Sequence, residues 1–322
     1  MRMIVGIIGI IISIVIVAAS IPFFDVEDDD DDLYLFVITG QSNAAYYIHN
    51  TTVANDLPAP AKGNVFYYGT SGSSMYYGIN PSSPTYDTTF ESYSIQDITN
   101  DQNKFRIGGL ESALASKFFN ETGKKALIVN TSIGGQSITL MQPGELGYEY
   151  AADVIQHAID LVGPEYNIRP ATIFFIQGES DSSMAINDYK AYFGTMASAY
   201  MSLTHCGSIT LGEVRPVNAP QIAAAQLQIC DEDPDVYLGS MASGTFTVDN
   251  GLMTNDNLHY SQAGKNIVGT QLMDTYLTAH KSEFIDPVAQ YQALIGIIPL
   301  LIIIGIVIAT IGLLRFKGSI GD

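Results

Sequence analysis

The stretch Leu35-Phe36-Val37-Ile38-Thr39-Gly40-Gln41-Ser42-Asn43-Ala44 sets a serine hydroxyl between two side-chain amides, directly after an apolar run. A serine hydroxyl is a weak nucleophile until an adjacent base takes its proton and a third group orients that base. Groups of those types recur later. Asp256-Asn257-Leu258-His259-Tyr260 carries a carboxylate and an imidazole three residues apart, ahead of a helical pattern. Asn130-Thr131-Ser132-Ile133-Gly134-Gly135-Gln136 and Gln177-Gly178-Glu179-Ser180-Asp181 are polar, glycine-containing clusters, each following an apolar run. Alone, a Gly-x-Ser reads most simply as a helix cap. A serine on a sharp strand-to-helix turn can also present its hydroxyl outward beside helix N-terminal amides. The other clusters favour that second reading.

These residues must be positioned by the elements around them. Leu35–Ile38, Ala126–Asn130 and Ala171–Ile176 are β-branched and aromatic runs bounded by turn residues, which predicts buried strands. Ile209–Val214 reads as a further strand and Val236–Met241 as a short one. Between them, helical spacing covers 108–121 (Leu110, Leu114 and Phe118 on one face, ending near Gly123), 148–162, 186–203, 222–229 and 261–278. Strands alternating with helices predict an α/β fold with a parallel sheet covered on both faces. Ligands bind such sheets at the carboxyl ends of the strands, where the polar clusters fall. Residues 46–105 are rich in Tyr, Ser, Thr, Asn, Gly and Pro without a sustained period. They read as a surface excursion with short elements of its own, walling the cleft.

Among 322 residues, Lys and Arg number 14 against 33 Asp and Glu, a formal net charge of −19. That balance excludes nucleic acid as a partner, since such a binder needs a basic surface. No metal-ligand spacing occurs, so neither a metal nor another cofactor is expected. Residues 3–19 are almost unbroken Ile, Val, Gly and Ala after Arg2. With Ala18-Ala19-Ser20 behind them, residues 1–24 read as a cleaved signal peptide or a retained signal-anchor helix. The acidic run within 25–32 reads as an extended linker. Residues 294–314 are apolar throughout, long enough at about 1.5 Å per residue to cross a bilayer of about 30 Å. Arg315 and Lys317 follow, so 315–322 becomes a cytoplasmic tail by the positive-inside rule, with 286–293 as a linker. The folded domain, 33–285, is then expected outside the cytoplasm, at a cell surface or viral envelope. In that setting Cys206 and Cys230 are candidates for a disulfide closing a loop of about 25 residues, stabilising by roughly 3 kcal/mol.

Gly40-Gln41-Ser42-Asn43, Gly134-Gly135, Gln177-Gly178-Glu179-Ser180-Asp181 and Asp256-x-x-His259-Tyr260 stand in the order in which the SGNH hydrolases carry such blocks. The chain resembles that superfamily over roughly 33–280, and within it the sialate O-acetylesterase and acetylxylan esterase branch, carbohydrate esterase family six. The resemblance implies a three-layer α/β/α sandwich and a serine esterase acting on O-acetylated carbohydrate. Ser42 is then the nucleophile and His259 the general base. Asp256 holds the imidazole tautomer, with Glu179 as the alternative orienting carboxylate. The oxyanion donors are the Ser42 amide, the Gly135 amide (or that of Gly134) and the Gln177 side chain. Gln41, Asn43, Glu179 and Asp181 support the loops or the substrate. Family members commonly carry tryptophan after the double glycine and before Gln-Gly-Glu. This chain has none, with Leu140 or Met141 and then Ile176 at those places, so its sugar-facing surface differs. A different class of function also fits the apolar ends and the 19 tyrosines: a surface or viral-envelope protein that binds glycans on an esterase fold. Self-association into homo-oligomers through those ends is compatible with either reading.

Overall fold

The computed structural model describes residues 31–45, 51–70 and 93–284. The two apolar terminal runs, the acidic linker and the cytoplasmic-tail assignment lie outside the described residues, apart from the linker's last two positions. Among the described residues no helix is long and apolar enough to cross a membrane.

Seven strands form one sheet: β1 (Asp32–Gly40), β2 (Val65–Thr70), β3 (Tyr93–Asp97), β4 (Lys125–Asn130), β5 (Asn167–Ile176), β6 (Ile209–Gly212) and β7 (Val236–Ser240). Their order is β3-β2-β4-β1-β5-β6-β7. All pairings are parallel except β2–β3, where β3 closes the edge antiparallel. β1 lies between β4 and β5, and Leu35–Ile38 are fully buried. A strand covered on both faces can be apolar at consecutive positions, which is why the opening run shows no alternation. The edge pair β2–β3 was not visible as strands in the sequence.

Helix α1 (Glu111–Thr122) and helix α5 (Gln262–Ala279) pack together on one face of the sheet. Helices α2 (Leu146–Val162), α3 (Ile186–Thr204) and α4 (Pro220–Glu232) cover the other. This is the α/β/α sandwich expected from the alternation of elements. Helix α1 ends where Gly123 takes φ 67° and its N–H bonds the Phe119 carbonyl, a left-handed cap that glycine adopts without strain. β5 begins earlier than expected because its register with β1 shifts between Leu35 and Phe36, opposite Pro170 and Thr172. That irregularity accommodates a proline, which has no N–H for the ladder.

The disulfide expectation is corrected. Cys206 and Cys230 are both free thiols, the first buried and the second half-buried. Burial pushes the Cys206 thiol up to about 11 and that of Cys230 to about 12, so both stay protonated and unreactive at neutral pH.

One backbone position controls how the centre of the sheet ends. Gly40 takes φ 136°, and a Cβ built there would overlap the Ile176 carbonyl on β5. Gly40→Ala therefore combines backbone strain with a backbone clash. Urea unfolding should show it less stable by about 3 kcal/mol or more, if it folds at all.

Candidate active site

Beyond Gly40 the chain cannot continue as strand. Gln41 N–H bonds the Ile176 carbonyl at 3.0 Å, and the Ala44 and Ala45 N–H groups return to the Gln41 carbonyl at 2.9 and 2.8 Å. That single helical turn carries Ser42, 8% exposed, at the carboxyl edge of the sheet. The Gln41 side chain braces the neighbouring loop: its Oε1 accepts the N–H groups of Ser180 at 3.2 Å and Gly178 at 3.4 Å. A cleft of about 360 Å³ opens here, lined by Gln41, Ser42, Gly134, Gly135, Glu179, Ser180, Leu258 and His259.

His259 comes from the loop before α5. Asp256 shapes that loop, with Oδ1 accepting from Leu258 N (2.9 Å), His259 N (3.0 Å) and the Thr254 hydroxyl (2.6 Å). Its Oδ2 lies 2.6 Å from His259 Nδ1. Burial opposes the charge on Asp256. The His259 side chain and backbone, Thr254 and Leu258 overcome it, and hold the carboxyl well below the usual range. The ionised carboxylate fixes the Nδ1–H tautomer, leaving Nε2 as the nitrogen that can take a proton.

Between the two candidate orienting carboxylates the geometry distinguishes clearly. Glu179 Oε1 accepts from Asn43 Nδ2 at 2.6 Å, while His259 Nδ1 is engaged by Asp256. Burial pushes the Glu179 carboxyl up, against the Asn43 hydrogen bond and the nearby His259. Asn43 ties the site together. It also donates to the Leu258 carbonyl at 3.2 Å and accepts the Tyr260 N–H at 2.9 Å, so it holds the nucleophile turn, Glu179 and the histidine loop at once.

The expected role of Gln177 is corrected. Its side chain is fully buried and does not line the cleft. Nε2 donates to the Gln136 carbonyl at 3.1 Å and to Asp181 Oδ2, and Oε1 accepts from the Tyr189 hydroxyl at 2.9 Å. Both amide hydrogens are thus engaged inside the protein, and none is left for an oxyanion. Gln177 braces the loop instead. Asp181 does the same from below, accepting from the Ser137 hydroxyl at 2.5 Å and from Ile138 N at 2.8 Å, which anchors the chain just after the double glycine. Gly134 and Gly135 both line the cleft, with Gly135 at φ 72°. At the places where relatives carry tryptophan, Leu140 is exposed, and Met141 and Ile176 are buried. Sequence reasoning missed Ser180 and Leu258 as lining residues. It also missed Tyr189 and Gln226, which hold Gln177 from α3 and α4. Their side chains sit in ordinary helical patterns, and no local signal marks them.

An open α/β sheet with these four blocks at its strand ends defines the SGNH class of ester hydrolases. Within that class the chain belongs to the carbohydrate esterase family of sialic acid-specific acetylesterases, whose family model matches residues 32–278. No curated protein matches the chain by sequence. Among solved structures, a protein of Arabidopsis thaliana superposes with TM-score 0.50 at 18% identity, covering 76% of this chain and 98% of that one. A carbohydrate acetylesterase from Xanthomonas citri superposes with TM-score 0.50 at 11% identity, covering 76% of this chain and 55% of that one. At those identities the likeness establishes the fold.

Removing Asn43 should unlatch three loops together. Asn43→Ala leaves the buried Tyr260 N–H without its acceptor and Glu179 without its donor. The expected loss is about 3 kcal/mol in urea unfolding, read from the midpoint at unchanged slope.

Proposed function

We propose that this protein is a serine esterase that removes O-acetyl groups from carbohydrate. One observation carries the reading: His259, oriented at 2.6 Å by an ionised Asp256, shares a cleft with Ser42. In the reaction, Ser42 Oγ attacks the acetyl carbonyl carbon as His259 Nε2 takes the hydroxyl proton. The Ser42 amide and an amide of the Gly134–Gly135 turn stabilise the oxyanion. As the tetrahedral intermediate collapses, His259 returns the proton to the departing sugar oxygen, leaving acetyl-Ser42. Water, deprotonated by His259, then releases acetate and restores the serine. The buried carboxyl of Glu179 and the Ser180 and Leu258 side chains flank the bound sugar.

The terminal apolar runs support anchoring at a membrane, with the esterase domain held outside the cytoplasm. Exposure of the full chain to a protease outside intact cells checks that placement. Digestion of residues 33–285 supports it, and complete protection removes it.

The chemistry is tested on the full-length chain with an aryl acetate and with O-acetylated glycans. Ser42→Ala should lower turnover by about 10³-fold or more with the fold intact, as should Asp256→Asn, which keeps shape but loses the tautomer-fixing charge. Undiminished hydrolysis by Ser42→Ala would remove the assignment.

A further inference from the structure

A second cluster of buried polar side chains lies behind the cleft, and the mechanism above does not use it. Ala44 and Ala45, in the helical turn that carries Ser42, present their carbonyls to buried side chains. Each finds a donor from a different element. Asn130, at the end of β4, donates from Nδ2 to the Ala44 carbonyl at 3.0 Å. Lys265, in the first turn of α5, donates from Nζ to the Ala45 carbonyl. Lys265 is only 1% exposed, an unusual place for a lysine. Its partner in charge is Glu111, fully buried in the first turn of α1. Asn130 Nδ2 also donates to Glu111 Oε1 at 2.7 Å, and Asn130 Oδ1 accepts the Ser132 N–H at 2.9 Å.

The close packing of α1 on α5 makes this meeting compulsory. A Cβ built on Gly269 would press on Ala113 and on the Leu110 carbonyl, so the helices touch backbone to side chain there. Gln262 reinforces the junction, exchanging two hydrogen bonds of 2.8 Å with the backbone of Gly109. The cluster therefore joins the three loops that bear the reactive groups. Asn130 precedes the double-glycine turn, Lys265 follows His259 on the closing helix, and both hold the far end of the Ser42 turn.

We infer that Glu111, Asn130 and Lys265 form a buried clamp that positions Ser42, bracing its helical turn from behind so that the hydroxyl stays aligned with His259. The inference rests on the esterase reading above. A cation beside the carbonyls of a helical turn is electrostatically favoured, and Lys265 supplies a buried donor to the Ala45 carbonyl. Burying a lysine only for stability would be a poor design, because an apolar residue of similar volume usually does as well or better. Burial pulls Lys265 down to about 8, with Glu111 opposing, so at neutral pH the group is still mostly charged. A rigid nucleophile is worth this arrangement, since a misplacement of about 1 Å can slow a reaction by about 10²-fold.

The test compares the full-length wild type with Lys265→Met and with the double variant Glu111→Gln/Lys265→Met, in mild detergent. It reads thermal stability, kcat and KM for an aryl acetate, and the labelling rate of Ser42 by a phosphonate ester. Burial already pushes the Glu111 carboxyl up; Lys265→Met leaves it buried without its cation and should lose both stability and rate. The double variant removes that buried carboxyl and should regain most of the lost stability. Because Lys265 Nζ no longer holds the Ala45 carbonyl, kcat and the labelling rate should remain lower by about 10-fold or more, with KM changed less than about 3-fold. Recovery of kcat together with stability in the double variant overturns the clamp and leaves the esterase reading standing. A wild type that neither turns over the aryl acetate nor labels at Ser42 overturns the esterase reading itself, and the clamp with it.

Discussion

The close approach of β1 and β5 at their carboxyl ends is the constraint on which the cleft depends. Gly40 passes so near the Ile176 carbonyl that no side chain fits, and the next N–H, that of Gln41, bonds the same carbonyl. This junction turns the chain sharply and starts the helical turn that lifts Ser42 to the sheet edge. It also brings the Gln41 side chain under the Gly178–Ser180 loop, so one residue ties the Ser42 turn to the Glu179 loop. Asn43 then extends the same tie to the histidine loop.

Two carboxyl groups, Asp256 and Glu179, stand near one imidazole in opposite environments. Asp256 is partly exposed and receives hydrogen bonds on both oxygens, so it is held ionised. Glu179 is enclosed, receives one donor from Asn43, and is pushed towards its neutral form by burial. Environments that drive two acids apart in this way commonly mark a division of roles. Here the ionised Asp256 orients the His259 imidazole, and the enclosed Glu179 holds Asn43 between the Ser42 turn and the histidine loop. The supporting groups are layered behind them: Asp181, Gln177, Tyr189 and Gln226 under one loop, and Asn130, Glu111 and Lys265 under the nucleophile turn. The sheet supplies direction, and these buried polar contacts supply precision.

Family membership and the site agree on ester hydrolysis, but they define the sugar only loosely. The positions matched by resemblance to the family's tryptophans hold an exposed Leu140 and buried Met141 and Ile176, none of them aromatic. Aromatic stacking on a sugar ring is therefore not available from those places. Ser42, Asp256 and His259 are held by hydrogen bonds that involve none of these three residues.

The strands and helices nearest the sheet centre were legible in the sequence because their signals are local. Leu35–Ile38 must be apolar at consecutive positions to be buried on two faces, and Gly123 must follow α1 to end it. Ser42, Asp256 and His259 were legible because each sits in a short block whose turn chemistry is contained within a few residues. Asp256 caps its own loop through neighbours no more than three positions away. β2 and the half-exposed edge strand β3 were not legible, since their pairing depends on partner strands rather than on a local period. The role of Gln177 was misread for a related reason: its amide hydrogens meet Gln136 and Asp181 only after β5, the double-glycine loop and α3 have come together. The cysteine pairing failed likewise, because two thiols in one chain say nothing of whether their backbones meet. Sequence alone determined the chemical types, their order and the sheet that carries them. Only the tertiary structure decided that Glu179 turns to Asn43, which amides remain for the substrate and what lies beneath the serine, because those follow from contacts between elements that are separate in the chain.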